Sequence, residues 1–283
     1  GFTQNIWEFR SIEGNYAYYP QLKVFANNDN INIVNDSIIS VRTNPFMGDG
    51  TKESPYLIRN AYDMEILSKA INEDYDALDV YYLVAAGVAS IDLTTVDFVG
   101  IGNEEVAFKG HFDGSYAHFI IDLESESNYL GLFGHTSSNA SIKNLSVSGD
   151  LKGINNIGAI VGYNNGSINN VYAKVNIKGN NNVGGLVGYN NGVITNAFST
   201  GNMNSAGNNI GGLIGFNNGS IENAYAGGKV HGKSNVGGLI GYSNNREFGL
   251  IYYNKTIIEY DDIIEGLIKP INAIGNMSEF ELG

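Results

Sequence analysis

Short aliphatic runs, each closing on a glycine and followed by polar, asparagine-rich residues, recur along the middle of this chain. In segments of the type Val183-Gly184-Gly185-Leu186-Val187-Gly188-Tyr189 the closing glycine falls at Gly134, Gly162, Gly188, Gly215 and Gly241, at intervals of 28, 26, 27 and 26 residues. Between these anchors the apolar register holds position by position. Ile142, Ile168, Ile194 and Ile221 correspond, and Leu151, Ile177, Met203 and Val230 fill a later slot. Leu145, Val171, Ala197 and Ala224 directly follow Asn144, Asn170, Asn196 and Asn223. Each period breaks into three pieces, such as 183–189, 193–200 and a weaker one near Met203, separated by Gly, Asn or Ser. This pattern predicts an all-β fold: a right-handed parallel β-helix, or β-solenoid, with three strands per coil of about 26 residues. A lone coil buries too little to offset its ordering entropy, so coils must stack and the ends need caps.

Stacking gives the unusual residues a use. The column Asn144, Asn170, Asn196, Asn223 is expected at a turn, where stacked amides bond from coil to coil as a structural ladder. The Asn-Gly pairs 165–166, 191–192 and 218–219 are expected to supply corners with φ > 0, and the glycine pairs 184–185, 211–212 and 237–238 to relieve a crowded corner. His135, Tyr163, Tyr189, Phe216 and Tyr242 form an aromatic column, and Tyr172, Phe198 and Tyr225 another.

Ahead of the repeats the periodicity changes to that of a helix over 60–74, with Asn60 as N-cap and Asp63 at the third helical position. Ala61, Met64, Leu67 and Ile71 make its apolar stripe, and it is expected to cap the first coil. Residues 81–85, 90–93, 106–112 and 119–123 read as strands of irregular early coils. The chain therefore divides into an extended or strand segment (1–45), a capping helix with early coils (46–128), regular coils (129–245) and a C-terminal cap or linker (246–283).

Composition narrows the chemistry. The 37 glycines suit many tight turns. A net charge of −13 excludes the basic face that nucleic acid or an anionic membrane surface requires, and no apolar run reaches the ~20 residues of a membrane-inserted helix. The charge sits at the ends: from Ile157 to Tyr242 the sole carboxylate is Glu222. Without cysteine there is neither a disulfide framework nor a thiolate zinc site. Gly1 reads as the start of an excised or processed chain, with no signal-peptide pattern behind it.

Paired carboxylates could hydrolyse glycosides, but Asp79, Asp92, Asp97 and Asp113 read as solvated corner residues. Arg10, Arg42, Arg59 and Arg246 lie outside the regular coils. No cofactor is expected. The one weak signal for Ca²⁺ is Asp49 with Gly50 and Asp261 with Asp262, which lack a calcium-loop pattern and read as turns. The histidines have no metal-protease spacing, and His111 and His118 read as ordinary strand residues. The glycine runs are not phosphate loops, because no helix opens behind them. The candidate ligand surface is the column Tyr163, Tyr189, Phe216, Tyr242, should it face outward. Phe216 within it favours packing inside the corner instead.

The Gly-Gly-Leu-[Ile/Val]-Gly core at 184–188, 211–215 and 237–241 resembles the GLUG repeat of large secreted and cell-wall-anchored bacterial proteins. These include adhesin-like proteins and the non-catalytic region of some immunoglobulin A peptidases. Gly48-Asp49-Gly50-Thr51 with Ser54-Pro55-Tyr56-Leu57-Ile58 resembles the lead-in of such arrays, and Phe112-Asp113-Gly114 and Leu130-Gly131-Leu132-Phe133-Gly134 resemble the next landmarks. One coil departs from the pattern, with Ala159-Ile160 in place of Gly-Leu. The resemblance spans 48–254 and implies an extracellular or bacterial cell-surface location and a non-catalytic structural or adhesive role. The alternatives are a carbohydrate-binding module and a polysaccharide-degrading enzyme with acids near Asp92 and Asp113. Residues 277–283 resemble the segment that closes an array, and 1–25 resemble the stretch that comes after such a closing segment. That implies head-to-tail self-association, or adjacent repeats, through Trp7, Tyr19, Pro20 and Leu22. A surface glycan or protein is the other expected partner.

Overall fold

The computed structural model describes residues 7–8, 21–22, 46–73, 80–245, 249, 251–253 and 258–260. The chain divides into two compact units, Gly1–Asn44 and Pro45–Gly283. In the first, Trp7–Glu8 pairs antiparallel with Gln21–Leu22. The second is a parallel β-solenoid of about seven turns with one helix.

Its coils repeat three stacked faces. One face is built by Phe133–Thr136, Val161–Asn164, Val187–Asn190, Ile214–Asn217 and Ile240–Ser243. A second carries the long strands Ser141–Lys152 and Ser167–Gly179, which later coils split into Val193–Ser199 with Met203–Ser205, and Ser220–Ala226 with Val230–Gly232. The third holds Asn155–Gly158, Asn181–Gly184, Asn208–Gly211 and Ser234–Gly237. The apolar equivalences expected from the periodicity are register partners: Ile142, Ile168, Ile194 and Ile221 align, as do Leu145, Val171, Ala197 and Ala224, and Leu151, Ile177, Met203 and Val230. The interior is filled by these aliphatic columns, and the early coils by the fully buried rings of Phe108, Phe112, Phe119 and Phe133.

The strand boundaries within a coil differ from the expected three pieces. The aliphatic run 183–189 is not one strand but two, Asn181–Gly184 and Val187–Asn190, on different faces. The chain bends between them at a corner that requires glycine, since a Cβ at Gly185 would stand 2.2 Å from the Ser199 hydroxyl and 2.3 Å from the carbonyl oxygen of Gly212 in the next coil. The expected crowding at the glycine pairs is therefore real. The other two expected pieces are the separate strands Val193–Ser199 and Met203–Ser205, whereas in the preceding coil they merge into Ser167–Gly179, kinked at Asn170, where the backbone enters the left-handed region.

Left-handed corners come from asparagine rather than from the Asn-Gly pairs. Asn144, Asn170, Asn196 and Asn223 have φ of 52–58°, and Asn156, Asn182, Asn209 and Asn235 have φ of 51–62°. Asparagine tolerates this region better than other residues with a side chain. None of Asn165, Asn191, Asn218 or the glycines after them has a positive φ of this kind. Those glycines are needed for space: a Cβ on Gly192 would lie 1.9 Å from the carbonyl oxygen of Gly166.

The helix, α1, spans Ala61–Asn72, with the Asn60 side chain accepting the Asp63 N–H. Met64, Leu67 and Ile71 enter the same core as Ile58 and Ile101. Asp63 is buried and held by Arg59 at 2.8 and 2.9 Å. Ser68 and Asn72 donate to the Gly100 carbonyl, tying the helix to an early coil. The strands Tyr81–Val84 and Ser90–Asp92 match expectation. The strand expected over 106–112 is reduced to a bridge at Phe108, and the next strand instead runs continuously from His111 to Glu124.

A polar ladder runs inside this apolar body. Thr136, Asn164, Asn190 and Asn217 are fully buried, and each hands a hydrogen bond to the next at 2.8 Å. Asn190 accepts from Asn164 and from the Gly192 N–H and donates to Asn217 and the Gly192 carbonyl. Asn190→Ala would strand two buried amides, so the expected loss is about 3 kcal/mol or more, measured by chemical unfolding; a loss below about 1 kcal/mol would contradict this role. Conversely, the Ser199 hydroxyl is buried with no hydrogen-bond partner among the described residues, at a position where the neighbouring coils carry Ala173 and Ala226. Ser199→Ala is expected to raise stability by roughly 1 kcal/mol, visible as a higher thermal midpoint.

Candidate functional site

The strand Val187–Asn190 turns Val187 and Asn190 inward, and the ring of Tyr189 between them is left half-buried at the surface. The same holds in each coil, so His135, Tyr163, Tyr189 and Phe216 line the outside, and Tyr242 is 42% exposed. The inward packing suggested by Phe216 does not occur, because aliphatic residues and the buried asparagines already fill that corner. Tyr163 and Tyr189 stack at 4.7 Å and 8°, Tyr189 and Phe216 at 4.6 Å and 10°, and Phe216 and Tyr242 at 5.2 Å and 30°. Ring faces are thus turned to one another, and edges and hydroxyls to solvent. Tyr163 and Tyr189 accept hydrogen bonds from Asn191 and Asn218, members of an outer ladder running Asn165, Asn191, Asn218, Asn244. Burial, and then the neighbouring Tyr163, push the Tyr189 hydroxyl above its usual pKa. Tyr129 joins the column, 5.0 Å from Tyr163; it lies on no repeat anchor and carries no signal in the periodicity.

The second column, Tyr172, Phe198 and Tyr225, stacks at 5.1 and 5.0 Å on the face of the long strands. Beside it runs the ladder expected from sequence: Asn170 donates to Asn144 at 2.9 Å and Asn223 to Asn196 at 3.2 Å. Asn144 continues it to the carboxylate of Asp113.

The carboxylates serve local structure. Asp49 accepts from the Thr51 N–H and hydroxyl, a turn that lowers its pKa; the Asp92 carboxylate accepts from the Thr94 N–H and hydroxyl. Asp97 faces Lys69 at 3.5 Å. Burial alone would raise the Asp113 pKa, but the Ser115 N–H, Asn144 and Lys143 together hold it below the usual value. His111 stacks on Tyr81 at 4.3 Å, and His118 bonds Ser146 and Ser148, as strand residues. Among the described residues no three His, Cys, Asp or Glu side chains are grouped to hold a metal. Asp79, Asp261, Asp262, Tyr19 and Pro20 lie outside the described residues, and of Trp7 and Leu22 only the backbone pairing is described.

His135 heads the first column. Its Nδ1 lies 3.1 Å from the Asn103 carbonyl and its Nε2 3.2 Å from the Asn165 amide nitrogen, which assigns a neutral ring with the proton on Nδ1. Burial is the main cause that lowers its pKa below 6.5, opposed by the Asn103 hydrogen bond. A depressed histidine pKa disfavours the protonated fold, so its contribution is complete above pH 6.5 and is lost as pH falls below that value. The thermal midpoint is therefore expected to drop more between about pH 7.5 and about pH 5.5 for the native chain than for His135→Phe. Equal drops would exclude this linkage.

The repeats match the family model of the GLUG motif over residues 179–204 and 206–230. A protein of Evansella cellulosilytica described as a candidate Gly-rich membrane protein is 34% identical over 124 residues, 41% of this chain and 13% of that relative's length. Among solved structures, a crystal structure of a candidate immunoglobulin A1 protease from Bacteroides ovatus is similar, with a TM-score of 0.59 and 22% identity over 75% of each chain; that likeness concerns the fold. Among the described residues no helix is long and apolar enough to cross a membrane. The matched segments are two repeats of the GLUG motif, set in consecutive coils of the solenoid.

Proposed function

We propose that this chain is a non-catalytic structural and adhesive module of a bacterial cell-surface or extracellular protein, joined head-to-tail to further units. The observation that carries this reading is how the regular coils use their polar groups: side-chain amides bond to their own equivalents one coil away, at 2.8 Å between Asn156, Asn182, Asn209 and Asn235. A body built this way is a stiff rod. Among the described residues the candidate acids Asp92, Asp97 and Asp113 are engaged in turns and ion pairs. The relative of which this chain spans 13% supports a segment within a longer protein, and its description as a membrane protein supports a location at the cell envelope. At the C-terminal end of the second face the outermost described strands are Ile251–Tyr253 and Ile258–Tyr260, an edge able to receive a further strand.

Sedimentation over a concentration series, with the whole chain and with a chain lacking residues 1–25, tests the assembly. The whole chain is expected to self-associate and the shortened one to remain monomeric; two monodisperse monomers would overturn head-to-tail joining. Release of reducing ends or unsaturated sugars from pectin, mucin or glycosaminoglycan would overturn the non-catalytic reading.

A carbohydrate-binding role is the second reading. It is favoured by the outward, half-buried placement of Tyr163, Tyr189, Phe216 and Tyr242 beside amide groups. On that reading Tyr189→Ala weakens retention on a glycan matrix.

A further inference from the structure

We infer that a groove on the long-strand face, separate from the Tyr163 column, binds one pyranose ring of an uncharged glycan. Three departures from the repeat converge there.

The first is a missing ring. The register aligns His118, Ser146, Tyr172, Phe198 and Tyr225 along one column. Phe198 covers one face of Tyr172, but the coil before it offers Ser146, whose hydroxyl bonds His118. Among the described residues the other face of the Tyr172 ring meets no aromatic neighbour, and such a face is what the C–H face of a sugar packs on.

The second is a gap in the amide ladder. The pairs Asn144–Asn170 and Asn196–Asn223 are bonded, while none joins Asn170 to Asn196. Among the described residues the Asn196 donor and the Asn170 acceptor are thus left without each other, toward the coil of Phe198, and both residues line the same groove as Tyr172; together they are the complement of a sugar hydroxyl, which both donates and accepts.

The third is strain. The strand His111–Glu124 carries two extra residues between Asp113 and Ala117 relative to its partner, and Ser115 and Tyr116 take φ of 49° and 63°. A bulky residue in this region costs energy that the surroundings must hold. The effect here is to project Tyr116, 74% exposed, over the groove, with its hydroxyl accepting from Asn170 at 3.2 Å.

The resulting groove has a volume of about 310 Å³ and is floored by the buried Leu145 and Val171. That is the lower end of the roughly 300–1,000 Å³ typical of small-molecule sites. All its lining side chains are uncharged, which selects neutral sugars over uronate or sialic acid chains.

The test is calorimetry of the full chain against cello-, manno- and chito-oligosaccharides, with polygalacturonate and sialyl-oligosaccharides as charged probes. A neutral oligosaccharide is expected to bind, and Tyr116→Ala to weaken it roughly tenfold or more. Ser146→Tyr is expected to abolish binding while leaving the thermal midpoint unchanged or higher, because the new ring completes the stack. Tyr62→Ala, an exposed ring on α1 outside both columns, is the control and is expected to leave this affinity unchanged. Loss of binding in Tyr189→Ala but not in Tyr116→Ala would move the ligand to the other column and overturn the groove while sparing the carbohydrate reading. No binding of any neutral probe, or binding of charged chains alone, would overturn it as well.

Discussion

Parallel in-register stacking places each side chain directly over its own equivalent, one coil away at roughly 4.8 Å, and almost everything else about this molecule answers to that constraint. Away from solvent, a residue is favoured there when it attracts a copy of itself. Branched aliphatics do so by packing, flat rings by stacking, and the side-chain amide because it carries a donor and an acceptor together. A carboxylate above a carboxylate does not. This accounts for a body of about eighty residues in which Glu222 is the only acid. Where charge returns, some equivalents differ and attract, as in Asp113 with Lys143 and Glu124 with Lys152, while Asp122 over Asp150 and Lys152 over Lys178 are like charges kept at the exposed surface.

The buried ladder from Thr136 to Asn217 is the strictest expression of this rule. A polar group inside an apolar body is costly unless satisfied, and each of these amides is satisfied only when the coils hold a single register. Ladder and register therefore enforce one another. The glycines next to them in the chain, such as Gly192, let the backbone of successive coils come close enough for this to happen.

A surface whose groups are satisfied by their own copies offers little to a partner. Reactive surface is found where the copying fails: at Ser146 in a column of rings, between Asn170 and Asn196 in a column of amides, and at the bulge that lifts Tyr116. The first column, in contrast, buries its ring faces in one another, and presents edges and hydroxyls. Similarity in fold to a candidate protease structure carries no catalytic machinery with it. Any activity must be argued from the side chains of this chain.

Much of this was legible in the linear sequence. The period, the coil-to-coil equivalences, the Asn60 cap of α1 and the crowding at Gly185 all come from which residues recur at which spacing. The long strand His111–Glu124, the left-handed corners at Asn156, Asn182, Asn209 and Asn235, and the buried rather than exposed role of Asn190 did not. A repeat specifies which residues align along the solenoid axis, because identical residues one period apart must stack. It does not specify their direction around that axis, which depends on where each strand bends and on what already occupies the interior. For that reason sequence alone determined the columns of tyrosines and asparagines, and only the tertiary structure decided which of them point inward, which bury their faces in each other, and which one is left open beside Tyr116.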